Sequence, residues 1–284
     1  MAIALGIATT RCSLTTSLDG LAGAEVADAG DAAFDAPIIE GGPSPDSSVE
    51  GGADGSVDGG DGGARFCASL VPAPMFCDDF DVEDSFARWG GMRLNAGGSV
   101  AYDQGASRSA PNSLLTIAPP NASAHGVGAL QLSSASAVHR VRYAFDMRID
   151  ARDPQSAYAE ASYIRFGGAT GLYAFYMRLY GDLSSGTTFT TEAYLPDGGI
   201  PAHDMNVAAA TFVDWMRVVV DLDLRTAPHV SITIDGALVR DMPLEPSLYP
   251  PALATVETGI GYGGTPSSGP WKLRYDNVTV DFEP

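Results

Sequence analysis

Apolar and polar residues alternate along most of the C-terminal three-quarters of this chain. In residues 138–150, Val141, Tyr143, Phe145, Met147 and Ile149 interleave with Arg140, Arg142, Ala144, Asp146 and Arg148. A period of two puts one set on each face of a strand, with the apolar set toward a core. Residues 172–180 repeat it, with Tyr173, Phe175, Met177 and Leu179 inward and Ala174, Tyr176, Arg178 and Tyr180 outward. So do residues 213–224, with Met216, Val218, Val220, Leu222 and Leu224 inward. Residues 229–234 and 237–239 flank Asp235-Gly236, a hairpin signal. Further strands are expected at 99–102, 113–117, 128–132, 161–166, 187–195, 258–262 and 273–282. No window reads as a long amphipathic helix. About eleven short strands of this kind require two packed antiparallel sheets. The expected fold class is all-β: a two-sheet antiparallel jelly-roll sandwich over residues 66–284.

The pattern stops before residue 66. Residues 24–64 hold ten Asp or Glu and no Lys or Arg, and glycine crowds their second half. Such a segment buries too little surface to offset chain entropy, so 24–65 is expected to be a disordered linker. Asp54, Asp58 and Asp61 lack the spacing and flanking helices of an EF-hand, so a solvated spacer is the better reading. The linker supplies about half of the formal net charge of −19, which comes from 16 Lys and Arg against 35 Asp and Glu. So acidic a chain repels phosphate backbones and is not expected to bind nucleic acid.

Residues 1–10 form a short apolar run, too short to span a bilayer, which takes roughly 20 residues. They are similar to the apolar region of a secretory signal whose basic n-region is missing. With Cys12 directly after Arg11, residues 1–23 resemble a bacterial lipoprotein signal, although that pattern has a small residue where Arg11 stands. The resemblance implies export, lipidation of Cys12, and membrane attachment through that anchor alone. Cys67 and Cys77 are too far apart for a CxxC pair and have no histidine beside them. In an exported protein a disulfide is the expected reading, with two free buried thiols as the alternative.

Cys77-Asp78-Asp79-Phe80-Asp81 with Trp89 is similar to the first strand of concanavalin A-like (laminin-G-like) jelly rolls. Trp215-Met216-Arg217-Val218, the Ile234-Asp235-Gly236 hairpin and Tyr275-Asp276-Asn277-Val278-Thr279-Val280 are similar to its late strands. The resemblance covers about residues 76–282. It implies a glycan or polysaccharide partner held across one sheet, with activity left open because the superfamily holds lectins, hydrolases and lyases alike. The expected platform is Tyr176, Arg178, Tyr180, Glu192 and Tyr194 on adjacent strands, with Arg142 and Arg165 joining them. Aromatic rings stack on sugars, and Arg or Glu fix hydroxyls and carboxylates. The alternative for each is an ordinary solvated face.

No catalytic residue and no cofactor is expected. Glucanases of this fold carry an ExDxE-like strand, whereas Glu192 is isolated and Asp221-Leu222-Asp223 lacks glutamate. Alginate-lyase-like members combine an Arg-rich strand, a Gln-x-His strand and a Tyr-rich strand; here Arg140, Arg142 and many tyrosines occur without Gln-x-His. His125, His139, His203 and His229 are scattered, and no G-x-S-x-G occurs. Asp276-Asn277 reads either as calcium ligands or, preferably, as a strand end whose Asp accepts backbone hydrogen bonds. The expected function is non-catalytic binding of glycan or another extracellular polymer. The alternatives are a polysaccharide-active enzyme, lyase or hydrolase, and a structural envelope protein.

Overall fold

The computed structural model describes residues 65–82, 84–120, 125–152, 158–168, 171–182, 186–194, 202–210, 214–225, 227–243, 252–263 and 269–284. Within these, 171–173, 181–182, 186–194 and 202–210 are placed by their backbone alone. The expectations for residues 1–23, Cys12 and most of the linker lie outside the described residues.

The described residues hold one short helix, α1 (Phe66–Ser69), a 3-10 turn (Ser85–Arg88) and fifteen strands. The strands are β1 (Phe76–Asp78), β2 (Gly91–Asn95), β3 (Ser99–Asp103), β4 (Ser113–Ala118), β5 (Val127–Ser133), β6 (Arg140–Ala151), β7 (Tyr158–Gly168) and β8 (Gly171–Asp182). They continue with β9 (Gly186–Tyr194), β10 (Ala202–Ala210), β11 (Met216–Asp223), β12 (His229–Ile234), β13 (Ala237–Pro243), β14 (Leu253–Gly263) and β15 (Trp271–Glu283). The first sheet runs β13-β12-β11-β6-β15-β4-β3, with β1 also on β15; the second runs β10-β9-β8-β7-β14-β5-β2. All pairings are antiparallel. The all-β two-sheet sandwich is the observed fold.

The alternation explains the core. Val141, Tyr143, Phe145, Met147 and Ile149 of β6 are fully buried, as are Val218, Val220 and Leu222 of β11. From the second sheet they meet Ile164, Met177, Leu179, Val256 and Ile260, all likewise buried. Three strands escaped the period-two reading. β1 has only three residues, and β2 is a short edge strand whose Met92 and Leu94 remain exposed. β10 carries too many small residues to show a face.

Local chemistry accounts for the ends. Asp235 and Gly236 both adopt positive φ (52° and 79°), the type I′ geometry that matches strand twist. Trp89 Nε1 donates to Asp78 Oδ2 at 2.7 Å while its ring stacks on Phe80, which ties the CDDFD segment to the sandwich. Cys67 and Cys77 form a disulfide with Cα atoms 5.7 Å apart, so the bridged alternative holds. Asp276 is a buried acceptor: it takes the Arg108 and Ser109 N–H groups at 2.7 and 2.9 Å and the Ser109 hydroxyl at 3.0 Å. That is the strand-end role. Burial still pushes its carboxyl up to about 7 against those donors. Among the described residues no group of three or more His, Cys, Asp or Glu is placed to hold a metal.

Candidate functional site

The outer face of the second sheet is assembled by register. Gln131, Glu257, Tyr163 and Tyr176 stand side by side on β5, β14, β7 and β8, and the same row continues to Glu192 and His203 on β9 and β10. The next row pairs Glu160 with Arg178, and Arg178 with Thr190. On β8 and β9, the adjacent strands expected to carry the platform, Tyr176 stands opposite Glu192 and Arg178 opposite Thr190. The side chains of Glu192 and Tyr194 lie outside the described residues.

Two β-bulges shape this face, between Glu160 and Ser162 on β7 and between Thr258 and Tyr262 on β14. A bulge frees backbone groups and re-aims neighbouring side chains. The freed carbonyls are taken from within the sandwich. Ser162 Oγ donates to the Glu257 carbonyl at 2.5 Å and lies 3.0 Å from Tyr143 Oη, while Tyr275 Oη donates to the Ala161 carbonyl.

Glu257 is the hub. It is fully buried and accepts from Arg93 Nη2 at 2.7 Å, Gln131 Nε2 at 2.9 Å and the Tyr163 phenol. Arg93 Nη2 also reaches the Gly261 carbonyl at 2.7 Å. Burial and then the Glu257 charge push the Tyr163 phenol above its ordinary value, so it stays protonated and donates. One row away Arg178 Nη2 meets Glu160 Oε1 at 2.8 Å, and both side chains are over nine-tenths buried. Burial raises the Glu160 carboxyl and Arg178 opposes that.

Beyond this pair lies a chain of rings. The Tyr158 phenol hydrogen-bonds Tyr262 and is raised mainly by burial. Tyr262 Oη lies 3.0 Å from His125 Nε2, and His125 Nδ1 lies 3.0 Å from the Gly263 carbonyl. A carbonyl can only accept, so Nδ1 carries the proton, and Nε2 of the neutral ring is left to accept from the Tyr262 phenol. Arg165 differs from the other cations on the face. Its guanidinium sits 4.3 Å over the Tyr163 ring and hydrogen-bonds the Tyr176 phenol. No carboxylate of the described residues pairs with it.

The expected platform is therefore corrected in two ways. Arg142 does not join it: β6 belongs to the first sheet, and Arg142 lies on that sheet's outer face, near Asp221 at 3.7 Å. A period-two pattern gives a strand its faces but not its sheet. Arg178 faces outward without being solvated, since it is only 6% exposed. Tyr176, Tyr180 and Arg165 do share the outer face of the second sheet with Arg178. Sequence reasoning missed Arg93, Gln131, Glu257, Tyr158, Tyr163, Glu160, Tyr262 and His125. β2 gave no alternation that would single out Arg93, and the bulges broke the alternation around Glu160 and Tyr262.

No protein-family model matches the chain, and no curated protein matches its sequence. Among solved structures it is similar to the endo-β-1,4-glucuronan lyase of the fungus Trichoderma reesei, with a TM-score of 0.57 at 16% identity, over 74% of this chain and 95% of that one. It is also similar to the cellulose-induced protein Cip1, with a TM-score of 0.50 at 15% identity, over 72% and 96%. At such identities the likeness shows the jelly-roll fold that the two sheets already display.

Proposed function

We propose that the outer face of the second sheet binds an acidic glycan, a chain carrying uronate carboxylates. The observation that carries this is Arg165, a guanidinium that no carboxylate of the described residues pairs with, laid on a tyrosine ring beside Tyr176. The other two arginines of the face are neutralised by Glu257 and Glu160, so Arg165 is the group left to pair with a ligand's charge. Aromatic faces beside it suit pyranose rings, and an Arg fork suits a carboxylate. The fold shared with a glucuronan lyase is in keeping with this reading. In the same reading the bridge between Cys67 and Cys77 fits an exported protein, the acidic segment before it is a spacer, and Cys12 carries the anchor.

Calorimetry with a polyuronate and with its carboxyl-reduced, neutral counterpart tests the proposal. The polyuronate should bind and the neutral chain should not. Arg165→Gln should weaken binding about tenfold to a hundredfold, the effect of one charge-assisted hydrogen bond. Stability should move by less than about 0.5 kcal/mol. Equal binding of both chains would end the proposal, and no binding of either would favour the structural-protein reading.

A second reading, β-elimination on such a chain, is favoured by the linked Tyr158, Tyr262 and His125. Elimination next to a uronate needs a cation at the carboxylate, a base for the α-proton and an acid for the leaving oxygen. Phenols coupled to a histidine of set tautomer supply the proton carriers, and Arg178, 4.4 Å over the Tyr158 ring, is the cation on that part of the face. Appearance of an unsaturated, ultraviolet-absorbing chain end, abolished in Tyr262→Phe with binding retained, distinguishes catalysis from binding.

A further inference from the structure

The outer face of the first sheet holds a separate cavity of about 230 Å³. Its floor is one cross-strand row, Val219 of β11, Ala144 of β6 and Thr279 of β15. Its roof is the loop bearing Leu70, Pro72 and Pro74, closed by the Cys67–Cys77 disulfide. The Met75 N–H fastens that loop by donating to Asp281 Oδ1 at 2.7 Å. Neighbouring rows place Arg142 at one end of the floor and Arg217 at the other.

The two arginines are not equivalent. Arg217 Nη1 donates to the Asn277 carbonyl at 2.6 Å, lies 3.5 Å from Asp146, and the guanidinium sits 5.3 Å from the centre of the Phe66 ring. It is a committed wall. Arg142 has a side chain 58% exposed, and its nearest carboxylate, Asp221, is 3.7 Å away. Arg140 already chelates Asp221, through Nε at 2.7 Å and Nη2 at 2.6 Å. Asp281 shares the row of Arg142 without pairing with it, one oxygen being held by Met75. The charge of Arg142 is thus largely unspent at the mouth of the slot.

We propose that this slot binds a small organic monocarboxylate. The carboxylate pairs with Arg142, and a compact apolar body lies between the prolines above and Ala144 and Val219 below. The volume falls under the roughly 300–1,000 Å³ of drug-sized sites, which sets a small molecule rather than a polymer as the ligand. Pro72 and Pro74 above and Ala144 and Val219 below give an apolar body contacts that a bare inorganic anion does not use. Arg142 gives the carboxylate a planar, two-pronged partner. The site lies on the opposite sheet from the glycan face and does not depend on that reading.

Titration of the full chain with benzoate, and with benzamide as its neutral isostere, tests this by two-dimensional amide NMR. Benzoate should shift the amides of Ala144, Val219 and Thr279 saturably, and benzamide should bind at least tenfold more weakly. Arg142→Gln should weaken benzoate at least tenfold and leave benzamide unchanged. Val219→Phe, which fills the floor without altering charge, should remove both. Equal affinity for the two probes, a benzoate affinity unmoved by Arg142→Gln, or shifts confined to Tyr163 and Tyr176 on the other sheet would each overturn the proposal.

Discussion

The two outer faces of this sandwich carry the same kinds of residue and use them differently. On the first sheet, Arg140, Arg142, Asp221 and Glu283 form a network whose side chains stay between a fifth and three-fifths exposed. On the second, Glu257 is fully buried beneath Arg93, Gln131 and Tyr163, and the Arg178–Glu160 pair is shielded beside it. Exposed pairs contribute little because water competes for both charges. A shielded pair contributes little net stability either, yet losing one partner is costly, because the other is left buried and uncompensated. The contrast teaches that the second face is built for order: its side chains are held in one arrangement by buried partners.

The largest expected effect tests this directly. Arg178→Ala should destabilise the domain by about 3–5 kcal/mol, and Arg142→Ala by no more than about 1 kcal/mol, measured by urea unfolding. Replacing both partners, as Arg178→Met with Glu160→Leu, should recover most of the loss. Equal small effects on both faces would show the second to be an ordinary solvated surface.

The next effect concerns pH. Asp78, Asp146, Glu160 and Asp276 are all raised, with burial the leading cause, and Asp276 reaches about 7. A carboxyl whose folded value exceeds its unfolded one binds more protons in the native state. Stability should therefore fall as pH rises from about 4 to about 7, by a few kcal/mol in all. Asp103 and Asp223 are lowered by arginine hydrogen bonds and run the other way, Asp223 to about 2, but both are partly exposed. Asp276→Asn should flatten the slope near neutrality, and Glu160→Gln should make the overall fall smaller. A stability that rises with pH across this window would contradict the assignment.

The last and most local effect belongs to the first face. Breaking the Cys67–Cys77 bridge as Cys67→Ser with Cys77→Ser should cost about 2–3 kcal/mol, the chain-entropy value for a loop this short. It should loosen the roof over Ala144 and Val219 while amide exchange on β7, β8 and β14 stays as it was. A change on those strands would mean that the two faces are coupled.

The alternation of apolar and polar residues was enough to place most strands, the core faces of β6, β8 and β11, and the Asp235-Gly236 hairpin. These follow from period and local turn chemistry, which neighbouring residues carry. The cysteine spacing was enough to suggest the bridge. Only the tertiary structure assigned strands to sheets, sending Arg142 to one face and Arg165 to the other. It alone brought Arg93, Gln131 and Glu257 together, since Arg93 and Glu257 lie 164 residues apart in the chain. It also revealed the two bulges, because an extra residue is visible only against a partner strand. Periodicity describes a strand by itself; a site made across several strands depends on order and register, which are properties of pairing.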